Sequence, residues 1–201
     1  MQDDSTDAAV TATADRLADA AIRIIARDGF DALSVRRVAR EAAVTGGTVQ
    51  HHYPSKVDLT VAALDRTVSR QAHRISSLPP SESPVTQLTR ELCAMLPADP
   101  ASTEEAVVWI AMSAAVPGHP FVAERRREAA EQARRWIASR IRRSQDAGIV
   151  DAAIDPEVVG PMIEAALDGV MLQAVAKDDS LRVSCQRVCD IVDRVLQIPP
   201  S

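Results

Sequence analysis

Aromatic side chains are nearly missing: Phe30, Tyr53, Trp109, Phe121 and Trp136 are all there are, about 2% of 201 residues. Strands draw on aromatic and β-branched residues, so this scarcity argues against a β-sandwich or barrel. Glycine is also scarce, at seven, which excludes a collagenous repeat. Cysteine occurs three times, an odd number. Cys185 and Cys189 stand four apart in a helical pattern, which separates their Cβ atoms by ~5–6 Å where a disulfide wants ~3.8 Å. They read as reduced core residues.

An excess of positive charge is missing as well: the net charge is -5 and the pI about 5.4. Such a chain does not coat nucleic acid or an anionic membrane with its whole surface, so any such binding is local. Long hydrophobic runs are absent; the longest, Ala106 to Met112, falls far short of the ~18 residues that span a bilayer. The start, MQDDSTD, is acidic where a signal peptide is basic, so the expected location is cytoplasmic.

What is present suits a helical fold. Apolar residues make up 46% and charged ones 25%, enough to bury a core, and alanine, leucine, valine and arginine dominate. Residues 1–10 hold Asp3, Asp4 and Asp7 with few large apolar groups and read as a disordered, solvated tail. Leu17, Ala21, Ile24 and Ile25 then recur at helical spacing, giving a helix over about 14–28 that ends at Gly29. Ser34 precedes a short amphipathic helix over about 35–42, with Val35, Val38, Ala39 and Ala42 on one face and Arg36, Arg37, Arg40 and Glu41 on the other. Thr45 caps a second short helix that closes at Tyr53-Pro54. Ser55 and Asp58 form a box that opens a longer helix over 56–76. Beyond the break SLPPSESP, five more helices are expected, over about 85–96, 104–116, 120–147, 156–177 and 181–197. The fold class is therefore all-α, with no strand pattern and no repeat.

Two short helices joined by three residues match a helix-turn-helix, whose second helix enters the major groove. The charge supports it: between 34 and 56 Arg36, Arg37, Arg40 and Lys56 stand against Glu41 alone, a local excess of three positive charges on an acidic chain. The string from Ala39 to Lys56, AREAAVTGGTVQHHYPSK, resembles the DNA-binding signature of the TetR family of transcriptional regulators. The likeness extends upstream through Gly29-Phe30 and Leu33 to Arg36, and downstream to Leu59. It covers roughly residues 14–65 with characteristic motif, while the remainder is similar in helix number and length.

The resemblance implies an N-terminal three-helix DNA-binding domain over 11–55, a connecting helix over 56–76, and a ligand-sensing and dimerisation domain over 77–201. In the recognition helix, Gly46, Gly47 and Thr48 give backbone access to DNA, Thr45 and Thr48 offer hydroxyls, and Gln50 can pair with adenine in a bidentate manner. The family often has Tyr at the position of Gln50, so a different base is implied. His52, Tyr53 and Lys56 occupy positions that touch or frame phosphate, His51 lies beside them, and Arg36 reaches DNA from the preceding helix. Read from the residues alone, Val49 and Tyr53 equally suit apolar anchors, His51 and His52 a solvated face, and Arg37 and Arg40 surface charge. Ala43 stands where the family usually has glycine; a left-handed residue there costs an alanine about 1 kcal/mol, which implies a slightly altered turn.

Other chemistry finds no support in the sequence. No nucleophile-elbow, phosphate-loop or zinc-helix string occurs, adjacent His51 and His52 point apart, and Cys185 with Cys189 lacks a second metal half-site, so no cofactor or metal is expected. An enzyme would have to use the scattered Cys93, Glu164 and Asp168. The eight arginines between 125 and 143 have acidic residues at helix-pair spacing and read as a salt-bridged face. Stripes through Val159, Ile163 and Val170, and through Cys185, Val188 and Val192, suit a homodimer built as a four-helix bundle. Met95, Trp109, Met112, Phe121, Trp136 and Met162 are candidates for lining a pocket for a small organic effector. The reading is a ligand-released homodimeric repressor of a pseudo-palindromic operator on double-stranded DNA. The alternatives are a constitutive DNA-binding protein and an all-helical enzyme.

Overall fold

A computed structural model describes residues 3–177 and 179–198, with side chains from Val10 onward. Among the described residues every regular element is helical: α1 (Asp3–Asp28), α2 (Val35–Glu41), α3 (Gly46–His52), α4 (Lys56–Ser76), α5 (Pro84–Cys93), α6 (Pro100–Ala115), α7 (Pro120–Asp146), α8 (Pro156–Lys177) and α9 (Leu181–Val195), with 3-10 turns at Phe30–Ala32 and Val116–Gly118. Two starts differ from expectation. The segment read as a tail is helical from Asp3. Pro100, expected only as a stop, is the first residue of α6, a position where its missing N–H costs nothing. Asp99 caps that helix by accepting from Ser102 N at 2.7 Å.

The chain divides into two compact units, and the division falls within α4, α6 and α7 rather than at residue 55 or 76. The first comprises residues 1–70 and 107–126. Its core joins Leu17, Ile24 and Ile25 of α1 to Val38, Val49 and Leu59, and also to Val108, Met112 and Val122 from the end of α6 and the start of α7. The unit that carries the helix-turn-helix thus has helices in its core that a linear reading assigns to the other domain.

The second comprises residues 71–106 and 127–201. Here α8 packs on α9, and α5 on α9. Gly160 lets α8 come close to α7, because a Cβ there would lie 3.3 Å from the carbonyl oxygen of Arg134. Buried carboxylates tie the helices: Glu91 accepts from Arg140 Nε at 2.8 Å and Nη2 at 3.0 Å, and Glu105 from Arg74 Nη1 at 2.7 Å. By length and composition alone α8 is long and apolar enough to cross a membrane, which no uninterrupted apolar run foretold. Its apolar residues lie all round because one side packs within the unit and another is exposed. A core helix passes the same test.

Candidate nucleic-acid interface

Ser34 accepts from Arg37 N to cap α2, and Thr45 caps α3 by accepting from Thr48 N at 3.1 Å. Between the two helices Ala43 takes a left-handed φ of 55°, which turns the chain so that Val44 N donates to Ala39 O at 2.9 Å. The left-handed turn is kept despite the alanine, where an altered one was expected. The turn lets Val38, Ala39, Ala42 and Val49 share one buried side against α1. The opposite side exposes Arg36, Arg40, Thr45, Gly47, Gln50 and His51. Among the described residues, no side-chain hydrogen bond or ion pair holds Arg36, Arg40 or Gln50.

The remaining expected contacts have partners inside the unit. Thr45 and Thr48 share their hydroxyls at 2.9 Å. Tyr53 OH donates to Ala14 O at 3.3 Å, and burial pushes its phenol pKa up, so its ring anchors α3 to α1. His52 is half-buried, and Gly46 opens the helix beside Gly47. Lys56 Nζ donates to Asp31 O at 3.3 Å and lies 5.0 Å from the centre of the Phe30 ring, leaving two ammonium donors. Arg37 pairs with Asp28. Arg23 donates to Glu41 at 3.0 Å and Arg27 at 3.3 Å, which together hold that carboxyl below its ordinary pKa.

These geometries have known counterparts. Residues 17–63 match the profile for bacterial regulatory proteins of the tetR family, and residues 84–197, more than half of the chain, match that of the BetI-type transcriptional repressor C-terminal domain. The chain belongs to the TetR family. Within this family, it is 36% identical over 73 residues to the HTH-type transcriptional repressor KstR of Rhodococcus jostii, a match covering 36% of this chain and 34% of that protein. It is also 21% identical over 182 residues to the regulator PksA of Bacillus subtilis, covering 88% and 84%. A TetR-family regulator from Rhodococcus sp. superimposes with a TM-score of 0.84 at 22% identity, covering 92% of this chain and 98% of that one. The multidrug binding protein EbrR, complexed with ethidium, gives 0.66 at 27% identity over 94% and 99%. A regulator from Saccharomonospora viridis in complex with choline gives 0.76 at 23% over 91% and 96%. This TetR-family chain is accordingly a DNA-binding transcriptional regulator.

The residues expected to line an effector pocket do not share a unit. Met112 is wholly buried and, with Phe121 against it, belongs to the core of the DNA-reading unit. Trp109, in the same unit, has the Arg126 guanidinium 3.6 Å above its ring. Met95 and Trp136 are half-buried in the second unit, and Met162 is 53% exposed. A cavity of about 500 Å3 lies elsewhere, in the first unit, lined by Asp15, His52, Tyr53, Asp58 and Arg66 among others.

The residues of the expected dimer stripe are largely taken up inside the chain. Val159, Ile163, Val170, Val188 and Val192 are buried within the chain itself, and Cys185 is half-buried beside Cys93. The exposed apolar side chains of α8 are Val158, Met162 and Leu172, one register over. Of the arginines of α7, Arg135 pairs with Glu131 at helix-pair spacing, whereas Arg134, Arg140 and Arg142 pair with Glu164, Glu91 and Glu157 on other helices.

Proposed function

We propose that the chain is a cytoplasmic homodimeric repressor that reads a pseudo-palindromic operator with α3 and releases it when a small organic effector binds. The observation that carries the DNA reading is the two-sided helix pair: α2 and α3 bury Val38 and Val49 while Arg36, Arg40 and Gln50 stand exposed and uncommitted. Gln50 is the base-reading residue, suited to adenine, and Arg36, Lys56 and His52 hold phosphate. Thr45, Gly46, Gly47, Thr48, His51 and Tyr53 shape the docking surface.

Dimerisation falls to a stripe of α8 in which the exposed Val158, Met162, Ala165 and Leu172 and the half-buried Gly169 recur at spacings of four and three. That pattern brings one helical face against its copy. The effector site is assigned to the second unit, around Met95 and Trp136, and the choline and ethidium bound by the two structural neighbours support a small organic cation as the first class to try.

Binding selection from a pool of randomised DNA duplexes tests this reading. An inverted repeat is expected, with half-sites about one helical turn apart. Failure to enrich any sequence contradicts it. Adding choline to the selected complex then tests for a ligand-released repressor against a constitutive DNA-binding protein.

A further inference from the structure

The contact between Lys56 and Phe30 continues beyond the helix-turn-helix. The Phe30 ring centre is 4.9 Å from that of His119, which lies 5.7 Å from Phe121. Phe30 is held firmly: Gly29, at φ 85°, ends α1 by donating to Ile25 O at 2.9 Å, and Leu33 N closes the next turn onto Phe30 O at 3.2 Å. His119 sits between Pro117 and Pro120 in the corner joining α6 to α7, and its carbonyl accepts from Val122 N at 3.0 Å and Ala123 N at 3.1 Å. Two prolines with fixed φ and a backbone that caps α7 make this corner stiff. A displacement of the corner therefore carries the imidazole with it.

We propose that His119 is a positioning residue for the DNA contact of Lys56, acting through the ring of Phe30. The histidine fixes where the Phe30 ring stands, the ring and Asp31 O fix the Lys56 ammonium, and a lysine held in place loses less side-chain freedom when it meets a phosphate. Movement of the α6–α7 corner then withdraws one phosphate contact from each subunit without any change in α3. This inference rests on the reading of Lys56 as a phosphate contact, and the test separates the two.

The experiment measures affinity for the duplex obtained by selection, over a range of salt concentrations, for the full chain and for Lys56→Ala, His119→Leu, His119→Gln and both double variants, each checked for folding by circular dichroism. Lys56→Ala is expected to weaken binding and to lower the slope of log affinity against log salt by about one. His119→Leu and His119→Gln are expected to weaken binding about three- to tenfold and to lower the slope in the same direction. In the Lys56→Ala background neither should have a further effect. His119→Phe, which keeps a ring against Phe30, should restore most of the affinity. Additive losses in the double variants, or an unchanged salt slope for the folded single variants, overturn the positioning role. If Lys56→Ala itself changes nothing, the reading of Lys56 as a phosphate contact falls, and the positioning role with it.

Discussion

Ala43 carries the clearest strain in the DNA-reading unit. Its φ of 55° lies in the left-handed region, where a Cβ costs roughly 1–2 kcal/mol and glycine pays nothing comparable. Ala43→Gly is expected to stabilise the chain by about 1 kcal/mol and raise Tm by about 2–4 °C in a thermal melt. An unchanged or lower Tm would contradict the strain. The exposed polar residues beside it belong to a different kind of prediction. Gln50→Ala should cost about 1–3 kcal/mol on the selected duplex and relax preference at one base pair per half-site, whereas Lys56→Ala should weaken all sequences alike. Much of this was legible in the string from Thr45 to Lys56, because caps, proline and glycine act locally. The tethering of Tyr53 to Ala14 and of Lys56 to Asp31 was not, since both bonds join positions far apart in the chain.

Helices α1 and α2 are tied by charge, and the tie responds to acid. Hydrogen bonds from Arg23 lower the pKa of Glu41, and those from Arg27 lower that of Asp28. A carboxyl whose pKa is lower when folded contributes stability above its unfolded pKa and loses it as pH falls through the folded value. The contribution is therefore complete at neutral pH and disappears below about pH 4. Amide exchange in α2 should quicken between pH 5 and 3 relative to α9, and Glu41→Gln should remove part of that difference; equal acid sensitivity in the variant would contradict it.

At the same scale α8 shows what periodicity hides. A helix apolar on every side does not announce which stripe faces inward: Val159 and Ile163 are buried within the chain, and Val158 and Met162 are exposed. Met162→Glu is expected to leave the fold intact and give a monomer by light scattering at micromolar concentration. Ile163→Ala should instead destabilise the chain by about 2–5 kcal/mol in denaturant titration. The reverse pattern would restore the original stripe. Helix ends were legible where Gly29, Pro54 and Ser180 mark them, whereas the start of α1 was lost because acidic residues serve equally as a solvated tail and as a first helical turn.

For the whole molecule, the decisive feature is that residues 107–126 belong to the unit that carries the helix-turn-helix. Met112 and Phe121 belong to its core; large side chains between helices suit a ligand and a core alike, and only their long-range packing separates the two. With Trp109 in one unit and Trp136 in the other, an effector in the second unit should change fluorescence in Trp109→Phe but not in Trp136→Phe. The opposite result would move the effector site to the DNA-reading unit.

The central claim is that α3 reads sequence through its exposed face. Its most direct test compares the full chain with Gln50→Ala on two duplexes, the one obtained by selection and a scrambled version of it, at one salt concentration. The account predicts that the full chain prefers the selected duplex, and that Gln50→Ala loses about 5- to 150-fold on it while binding the scrambled duplex unchanged. Equal losses on both duplexes, or no preference in the full chain, would contradict it.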